Sequence, residues 1–320
     1  MKKYLLGFVA VALLIQSGIS QVDKSDWIGI YPDGCTSITA GKLATADGSV
    51  ITSHTDDSHR TRSNINIQPA KDHQPGSMTT MYKRVSCDTT VMPSYNNLPI
   101  GEIPQVAHTF AFINSAYPCM NEKQLAIGES TFGGREILQS DNGLIDCQRL
   151  CQLMVERCST ARQAIQMSGE LMQQYGWIDA GECLTIADKN EVWHLEIVGP
   201  GKGLKGAIWA AQRVPDDHVG VNANASTIKE IDLKNPDYFM ASANIFKVAQ
   251  DSGWWDPKKE TFRFCYAYAP ESRTSIASRR REWRVFDLLA PSLKLDPNAE
   301  NYPFSVKPDK PVTPEKLVEV

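Results

Sequence analysis

The chain has 320 residues, of which 42% are hydrophobic and 22% charged, a composition typical of a globular protein with a sizeable core. Its net charge of −4 at pH 7 and its pI near 5.9 argue against nucleic acid as a partner, because nucleic-acid binding needs a concentration of basic residues. The sequence therefore predicts a globular protein that acts on something other than nucleic acid.

The first twenty residues have the pattern of a secretory signal peptide. Two lysines precede an apolar run at residues 4–15, and the small residues Gly18 and Ser20 follow it. This run is shorter than the roughly 20 apolar residues that a membrane-spanning helix needs. We therefore expect residues 1–20 to be removed during export to the periplasm or the extracellular medium, so that the mature protein has no membrane contact.

Strand patterns dominate the next part of the chain. Small, β-branched and apolar residues alternate over residues 36–55 around Asp47-Gly48, a dipeptide typical of two-residue hairpin turns. Further strands are predicted at residues 106–113 and 125–132.

A helical block and a second strand block follow. Between residues 144 and 175 apolar residues recur every three or four positions, which predicts two helices that separate at Ser159-Thr160. The later predicted elements are a hairpin of residues 184–188 and 192–198, strands at 207–214 and 219–223, and a helix at 281–289. Strands, then helices, then strands indicate an α+β fold with layered sheets.

Eight cysteines are spread through the chain, and three of them share one helix face. Cys147, Cys151 and Cys158 lie four and seven residues apart, which favours small buried apolar residues over a disulfide or a metal site. The sequence has no CxxC pair and no histidine at short ligand spacing from these three. We therefore expect no bound metal.

The C-terminal residues resemble the beginning of a helix. Thr313 is a suitable N-cap and Pro314 a suitable first helical residue. The sequence continues for only six residues after Pro314, and a helix that short is not stable by itself. We therefore expect the sequence to be part of a longer chain.

Cys35 has the features of an N-terminal nucleophile, a residue whose own α-amine serves as the base for its side chain. A free α-amine has a pKa of about 7.7–8.0, so it can accept the thiol proton without a partner histidine. Gly34 precedes it and tolerates the strained backbone that self-cleavage requires. Taken alone, the residue is also compatible with a buried cysteine at the beginning of a strand. The nucleophile interpretation predicts a propeptide at residues 21–34, cleavage between Gly34 and Cys35, and a hydrolase domain at residues 35–320.

The predicted hairpin returns polar residues to the neighbourhood of Cys35. A turn at Asp47-Gly48 places Ile38 opposite Asp57. In this register His54 shares a face with Cys35, whereas Asp57 joins that face only if one strand carries a one-residue bulge. Polar and charged groups beside a cysteine can shift the pKa of its thiol, as a catalytic cysteine requires.

Five segments in a fixed order carry a family resemblance. They are GCTSITAGKLATADGSVITSHTDDS (34–58), YPCMNEKQLAIGESTFGGRE (117–136), LTIADKNEVWHLEIVGP (184–200), RVPDDHVGVNANAS (213–226) and SRRREWRVFDLLAPSL (278–293). In these segments the chain resembles the dipeptidase A family of cysteine peptidases, which is related to the secernins and belongs to the N-terminal nucleophile (Ntn) hydrolase superfamily. The resemblance extends from Cys35 to about residue 309.

The resemblance implies a four-layer αββα sandwich, an active site at one end of the stacked sheets, and hydrolysis of short peptides. It also implies that Cys35 is the nucleophile and that Asp57 is the carboxylate that positions its α-amine. Many members of the family have an arginine where this chain has His54. Histidine is only partly charged at neutral pH, so His54 fills that cationic role only in part.

Other site residues are also implied by the resemblance alone. Asn224 matches an asparagine of the oxyanion hole, and Thr131 lies where relatives have another oxyanion-hole residue. Either Arg281 or its neighbour Arg280 matches the arginine that orients the active-site end. The family needs no cofactor or metal, its substrates are short peptides, and a homo-oligomer is compatible with the sequence.

Three other interpretations stay open. The chain is also compatible with an acyl-amide hydrolase of the choloylglycine hydrolase or penicillin V acylase type, which would use the same Cys35, and with a secreted binding protein without turnover. A papain-like enzyme would need a downstream histidine, for which His194 and His218 are available. Taken singly, Asp57 is compatible with a turn and residues 279–281 with a solvated helix face.

Overall fold

The structure is a computed structural model that describes residues 34–57, 64–87 and 94–320. The expected signal peptide and all of the expected propeptide except Gly34 lie outside the described residues. The described chain is a mixed α/β protein with antiparallel sheets and few helices, in agreement with the predicted α+β class. None of the helices in these ranges is both long and apolar enough to span a bilayer.

Strands and helices are numbered in chain order. The strands are β1 (Gly34–Ala40), β2 (Ile51–Thr52), β3 (Thr55–Asp57), β4 (Asn66–Gln68), β5 (Lys71–Asp72), β6 (Met78–Cys87), β7 (Ser94–Pro104), β8 (His108–Thr109), β9 (Phe112–Asn114), β10 (Pro118–Asn121), β11 (Ala126–Gly133), β12 (Gly181–Ala187), β13 (Val192–Val198), β14 (Ile208–Arg213), β15 (Val219–Asn222), β16 (Phe239–Ala241) and β17 (Ser305–Val306). The helices are α1 (Cys147–Arg157), α2 (Ala161–Tyr175), α3 (Ile245–Asp251), α4 (Phe264–Tyr268), α5 (Ile276–Leu289) and α6 (Pro314–Glu319).

Two large sheets face each other. In the five-stranded sheet the order is β17-β15-β1-β2, with β3 also paired to β1, and in the eight-stranded sheet it is β16-β14-β13-β12-β11-β10-β9-β4. Polar side chains join the two sheets: the hydroxyls of Thr52 and Thr185 are 2.8 Å apart, and Ser37 Oγ donates to the carbonyl of Glu129 at 3.5 Å. The strand that carries Cys35 is therefore held against β11, and its neighbour β2 is held against β12.

Helices cover the outer faces of both sheets. Leu150 of α1 and Ile165 of α2 are fully buried in one core with Ile186 of β12. On the other side of the molecule, Phe286 of α5 is buried with Ile38 of β1. Because β12 and β13 are covered on both faces, they are buried along their whole length.

Several predicted elements are confirmed. Strand β11 matches the prediction at residues 125–132, and β12 and β13 form the predicted hairpin. Helices α1 and α2 separate where predicted, because the Thr160 side chain accepts a hydrogen bond from the backbone N–H of Gln163 and caps α2. Thr313 caps α6 in the same way. The long hairpin of β6 and β7 was not predicted, since its sequence is largely polar.

The predicted register of the first hairpin is wrong. Ala40 pairs with Ile51 and Cys35 pairs with Asp56, so Asp57 lies opposite Gly34 rather than Ile38. The register is the same at both ends of the pair, and no bulge carries Asp57 to the face of Cys35. Paired residues point to the same side, and Asp56 therefore shares the face of Cys35.

Tertiary hydrogen bonds explain the longer connection between β1 and β2. The backbone N–H groups of Leu43 and Ala44 donate to the carbonyl of Asp216 at 2.7 and 3.0 Å, and Ala46 N–H donates to the carbonyl of Val312 at 2.9 Å. These contacts stabilise a ten-residue connection, residues 41–50, in place of a two-residue turn. Asp47-Gly48 lies in its exposed part.

Gly128 of β11 lies where the two sheets are closest to each other. A Cβ at this position would lie 2.7 Å from Thr185 Oγ1 and 3.1 Å from both Ser37 Oγ and His54 Cβ. We predict that Gly128→Ala lowers the free energy of unfolding by about 1–3 kcal/mol, the usual cost of overpacking, as measured by chemical denaturation.

Gly48→Ala is the reference substitution for this experiment. A Cβ at Gly48 would meet nothing within 4 Å, so only its φ of +80° opposes alanine, at a cost of about 1 kcal/mol. A Gly128→Ala protein as stable as wild type would contradict the close approach of the sheets.

Candidate active site

The sulfur of Cys35 lies among acidic groups near the beginning of β1. Sγ is 3.4 Å from Oε1 of Glu129 in β11 and 3.9 Å from Oδ1 of Asp56 in β3. The cysteine is only 6% exposed, whereas Asp56 is exposed. The thiol is therefore a nearly buried group with an exposed carboxylate beside it.

The surroundings of Cys35 favour the neutral thiol. Burial raises its pKa most, and the negative charges of Glu129 and Asp56 raise it further. A backbone hydrogen bond from Thr131 acts in the opposite direction and lowers the pKa. In the unprocessed chain the thiol therefore needs an additional positive charge or base before it can act as a nucleophile at neutral pH.

His54 lies beside the same carboxylate. Its Nε2 is 3.5 Å from Oε1 of Glu129, and its ring meets the ring of Tyr117 edge-on with the centroids 6.2 Å apart. The prediction that His54 shares the neighbourhood of Cys35 is thus confirmed, although the predicted register was wrong. Sulfur, imidazole nitrogen and carboxylate oxygen are all within 4.8 Å of one another, a donor set of the kind that zinc binds.

Glu129 was not predicted as a site residue. It is 1% exposed and lies 94 residues from Cys35 in the sequence. Its signal in the sequence is a single carboxylate in an otherwise apolar and small-residue strand, AIGESTFG. Charged residues are almost never fully buried unless they have partners, so a glutamate in such a strand indicates a functional or paired group.

A second buried carboxyl lies behind Glu129. Burial, followed by the negative charge of Glu129, raises the pKa of Glu182 in β12 well above its ordinary value, which favours the neutral form. Thr131 Oγ1 donates to Oε1 of Glu182 at 2.7 Å. The Thr131 side chain therefore binds the second carboxyl, while its backbone N–H acts on the sulfur.

The backbone of Cys35 is held by two residues from distant elements. Its nitrogen donates to Oδ1 of Asn224 at 2.7 Å, and its carbonyl accepts a hydrogen bond from Nη1 of Arg281 at 2.6 Å. Arg281 also donates to Oδ1 of Asn224 and to the carbonyl of Ala223, both at 3.0 Å. Asn224 and Arg281, both predicted from the sequence, thus meet at Cys35.

Asn224 has a constrained conformation. Its φ of +56° lies in the left-handed region, which asparagine tolerates better than most residues. Its backbone N–H donates to Oγ of Ser130 at 2.9 Å, and its Nδ2 donates to the carbonyl of Thr131 at 2.6 Å. One of the two N–H groups on Nδ2 is therefore engaged within the protein.

The structure separates the two adjacent arginines. Arg281 points to Cys35, whereas Nη2 of Arg280 donates to Oδ1 of the exposed Asn298 at 2.7 Å. Arg280 therefore has no place in the site. Helix α5 begins at Ile276, five residues before the predicted start.

Asp57 and Gly34 lie opposite each other beside Cys35. Asp57 is exposed and pairs with Gly34, the residue before Cys35. Gly34 is the first residue of β1, and its φ is not positive. A Cβ at Gly34 would lie 3.4 Å from Oδ1 of Asn224, an ordinary van der Waals distance.

The histidines that a papain-like enzyme would need have other partners. His194 Nε2 is 3.0 Å from Oγ1 of Thr39, and burial lowers the pKa of His194 to about 3. His218 Nδ1 is 2.9 Å from Oγ of Ser305. The side-chain partners of the Cys35 sulfur within the described part of the chain are Glu129 and Asp56, so the geometry does not support a cysteine–histidine pair of that type.

The three cysteines of the helical block are buried, as predicted. Cys147, Cys151 and Cys158 are each at most 2% exposed, and all three are free thiols. They pack in the same core as Leu150 and Met154.

A known family matches the part of the chain that contains this site. The model of peptidase family C69 matches residues 34–320, a range that begins one residue before Cys35 and includes every group described above. The chain belongs to peptidase family C69. The predicted resemblance is thereby confirmed.

Relatives of this C69 chain include proteins named as dipeptidases. A probable dipeptidase of Latilactobacillus sakei is 27% identical over 298 residues, which is 88% of this chain and 59% of the relative. Probable dipeptidase B of Lactococcus lactis subsp. lactis is 27% identical over 292 residues, and probable dipeptidase A of Streptococcus pyogenes is 25% identical over 291 residues, with the same coverage. The chain thus spans about three fifths of the length of these relatives.

The acidic surroundings of the thiol in this C69 chain generate a prediction. Glu129→Gln removes a negative charge while keeping the size of the side chain, so the pKa of the Cys35 thiol should fall. Near pH 8 the thiolate fraction rises about tenfold for each unit by which this pKa falls. We expect iodoacetamide to modify Cys35 faster in the variant, as measured by mass spectrometry of the Cys35 peptide across a pH series.

Cys119 in the same protein is the internal control. Its pKa is raised by burial and by Cys151, with no contribution from Glu129, so its alkylation rate should be the same in both proteins. An unchanged rate at Cys35 would show that Glu129 does not control its protonation.

Proposed function

We propose that this chain hydrolyses short peptides, dipeptides above all, with Cys35 as the nucleophile of an exported enzyme. Membership of peptidase family C69 and the names of its relatives support the reaction class. The observation that carries the proposal is that three different residues hold the sulfur, the nitrogen and the carbonyl of Cys35. The sulfur, the nitrogen and the carbonyl of Cys35 contact Glu129, Asn224 and Arg281 respectively.

Maturation is part of the proposal. Residues 1–20 are removed on export, and the bond between Gly34 and Cys35 is then cut. This cleavage consumes one water and leaves a carboxylate on Gly34 and a free α-amine on Cys35, whether Cys35 itself or another peptidase carries it out. The new amine lies at the nitrogen that now donates to Asn224, where its positive charge opposes the effect of Glu129 and Asp56 on the thiol.

The proposed reaction then follows from the groups around Cys35. The α-amine accepts the thiol proton, and the thiolate attacks the carbonyl carbon of the peptide bond. The leaving amine takes the proton, and a thioester joins the acyl group to Cys35. Water hydrolyses the thioester, so one water is consumed for each bond cut and the enzyme is regenerated without metal or cofactor.

Two predicted residues have proposed roles around these steps. The backbone N–H of Thr131 and the second N–H of Nδ2 of Asn224 are the donors for the oxyanion, and losing one such donor typically costs about 10²–10³ in rate. Thr131, predicted as an oxyanion-hole residue, would thus serve through its backbone, because its hydroxyl binds Glu182.

Asp57 is proposed to bind the new α-amine. It lies across from Gly34, so removal of the propeptide leaves the nitrogen of Cys35 as the end of β1 next to Asp57. An exposed carboxylate at this position can pair with an ammonium group without the cost of burying either charge. This role stays a prediction.

The fold that we propose in detail is a sandwich of four layers. Helices α1 and α2 pack on the eight-stranded sheet, α5 packs on the five-stranded sheet, and the sheets face each other. These contacts support the αββα sandwich of the Ntn hydrolases, with Cys35 near one end of the stacked sheets.

The first test of the proposed function is a substrate panel. We expect the purified chain to hydrolyse unblocked dipeptides and Cys35→Ala to lose about 10³-fold or more in kcat, because the nucleophile is gone. Cys119→Ala, which removes a cysteine outside the site, is the matched control and should retain activity. Hydrolysis of penicillin V or bile-salt conjugates in place of dipeptides would identify an acyl-amide hydrolase, and no hydrolysis by wild type would favour a binding protein.

The second test concerns the mature N-terminus. Mass spectrometry of the active protein should find Cys35 as the first residue. Fully active enzyme that begins at Gln21 would refute the role of the α-amine, since the nitrogen of Cys35 would then be an amide that cannot accept a proton.

A further inference from the structure

Three side chains of different chemistry converge at the beginning of β1. The sulfur of Cys35, a ring nitrogen of His54 and a carboxylate oxygen of Glu129 lie within 4.8 Å of one another. The distance from Sγ to Oε1 is 3.4 Å, and from Nε2 to Oε1 it is 3.5 Å. We call these three residues the thiol cluster.

The two measured separations are close to those of ligands on one zinc ion. Zinc binds sulfur at about 2.3 Å and nitrogen or oxygen at about 2.0–2.2 Å, so at the tetrahedral angle a sulfur and an oxygen ligand are about 3.5–3.7 Å apart and a nitrogen and an oxygen ligand about 3.3–3.6 Å. The measured 3.4 Å from Sγ to Oε1 is about 0.1 Å shorter than the first range, and the 3.5 Å from Nε2 to Oε1 lies within the second. The donor set of thiolate, imidazole and carboxylate also suits zinc, whereas magnesium and calcium prefer oxygen ligands alone.

Burial leaves two atoms of the thiol cluster without hydrogen bonds. Within the described ranges, Nε2 of His54 and Oε2 of Glu129 are buried atoms that have no hydrogen-bond partner. The side chain of Glu129 is only 2% exposed. An unpartnered buried polar group costs about 1–3 kcal/mol, and more when it is charged, so a cation held between these groups would relieve that cost.

We infer that the thiol cluster binds a zinc ion, and that zinc bound there blocks the hydrolytic reaction. The binding depends only on the three donors, whereas the inhibition rests on the proposed function. Binding breaks the S–H bond of Cys35, forms a sulfur–zinc bond and releases one proton to solvent. The sulfur then cannot attack a carbonyl, and removal of the ion by a chelator restores it.

Solvent access favours this cluster over a neighbouring one. Asp56 is exposed and its Oδ1 lies 3.9 Å from the sulfur, so an exposed carboxylate adjoins the thiol cluster. Glu129 also lies within 4.8 Å of Cys147 and Glu182, but all three of those residues are fully buried and none is an imidazole. The second group therefore offers neither an entry path nor the preferred nitrogen ligand.

Zinc binding is measured on the full chain without reference to activity. Isothermal titration calorimetry should show one zinc ion per chain, and cobalt(II) should give the thiolate-to-metal charge-transfer absorption of a cysteine ligand. Cys35→Ala, His54→Gln and Glu129→Gln should each weaken zinc binding at least about tenfold, since even residues that only orient metal ligands contribute that much. Magnesium should not compete.

Matched variants outside the cluster control for surface binding. Cys119→Ala removes another partly exposed thiol, and His108→Gln removes a surface histidine whose Nδ1 lies 2.7 Å from Oδ1 of Asp72. Both should bind zinc as wild type does. Zinc should also raise the melting temperature of wild type but not that of Cys35→Ala, which shows in one experiment that the variant folds and that it lacks the site.

The outcomes separate the two proposals. Zinc binding that survives Cys35→Ala, or that is lost only in Cys147→Ala, would overturn the assignment of the site. Dipeptide hydrolysis that continues with zinc bound would overturn the inhibition while leaving the activity intact. Zinc binding at Cys35 in a chain that hydrolyses no peptide would support the metal site and refute the proposed function.

Discussion

Four hydrogen bonds from the guanidinium of Arg281 join the first residues of β1 to the end of β15. They reach the carbonyl of Cys35, the hydroxyl of Thr36, the carbonyl of Ala223 and the side-chain oxygen of Asn224. A planar group with donors in fixed directions can hold all of these acceptors at once, which a lysine could not. The position of Cys35 relative to the asparagine that binds its nitrogen follows from this contact.

Acidic groups define the other side of the site. Glu129 touches the sulfur of Cys35 and the imidazole of His54, and it raises the pKa of Glu182 behind it. Negative charge in a poorly solvated place disfavours a thiolate, so the site as folded stabilises the resting thiol. A positive charge beside the sulfur would reverse this preference. The α-amine of the proposed mature enzyme would do so and promote catalysis, whereas a bound zinc ion would hold the thiolate and block it.

The close contact between the two sheets restricts the positions of the side chains around Cys35. Gly128 leaves room for His54 and Ser37 where β11 approaches β1, and short polar side chains such as Thr52 and Thr185 bridge the sheets without apolar bulk between them. Apolar cores lie under α1 and α2 and under α5, and a third core packs α3 and α4 against Val198 and Ile208. The groups around Cys35 are thus polar side chains in a mostly apolar interior, where unpaired groups are costly.

The sequence by itself pointed to Cys35, Asn224 and one arginine at 280–281 as site residues, indicated the family through its motifs, and predicted several of the strands and helices. These follow from local pattern and from motif, which need no knowledge of packing. Only the tertiary structure decided that Asp56 rather than Asp57 shares the face of Cys35, because the connection of residues 41–50 is held by hydrogen bonds to Asp216, far along the chain. The contact of Glu129 with Cys35, 94 residues away in the sequence, was likewise decided by the tertiary structure. Periodicity predicts which face of a strand a residue lies on, but not which strand lies opposite that face.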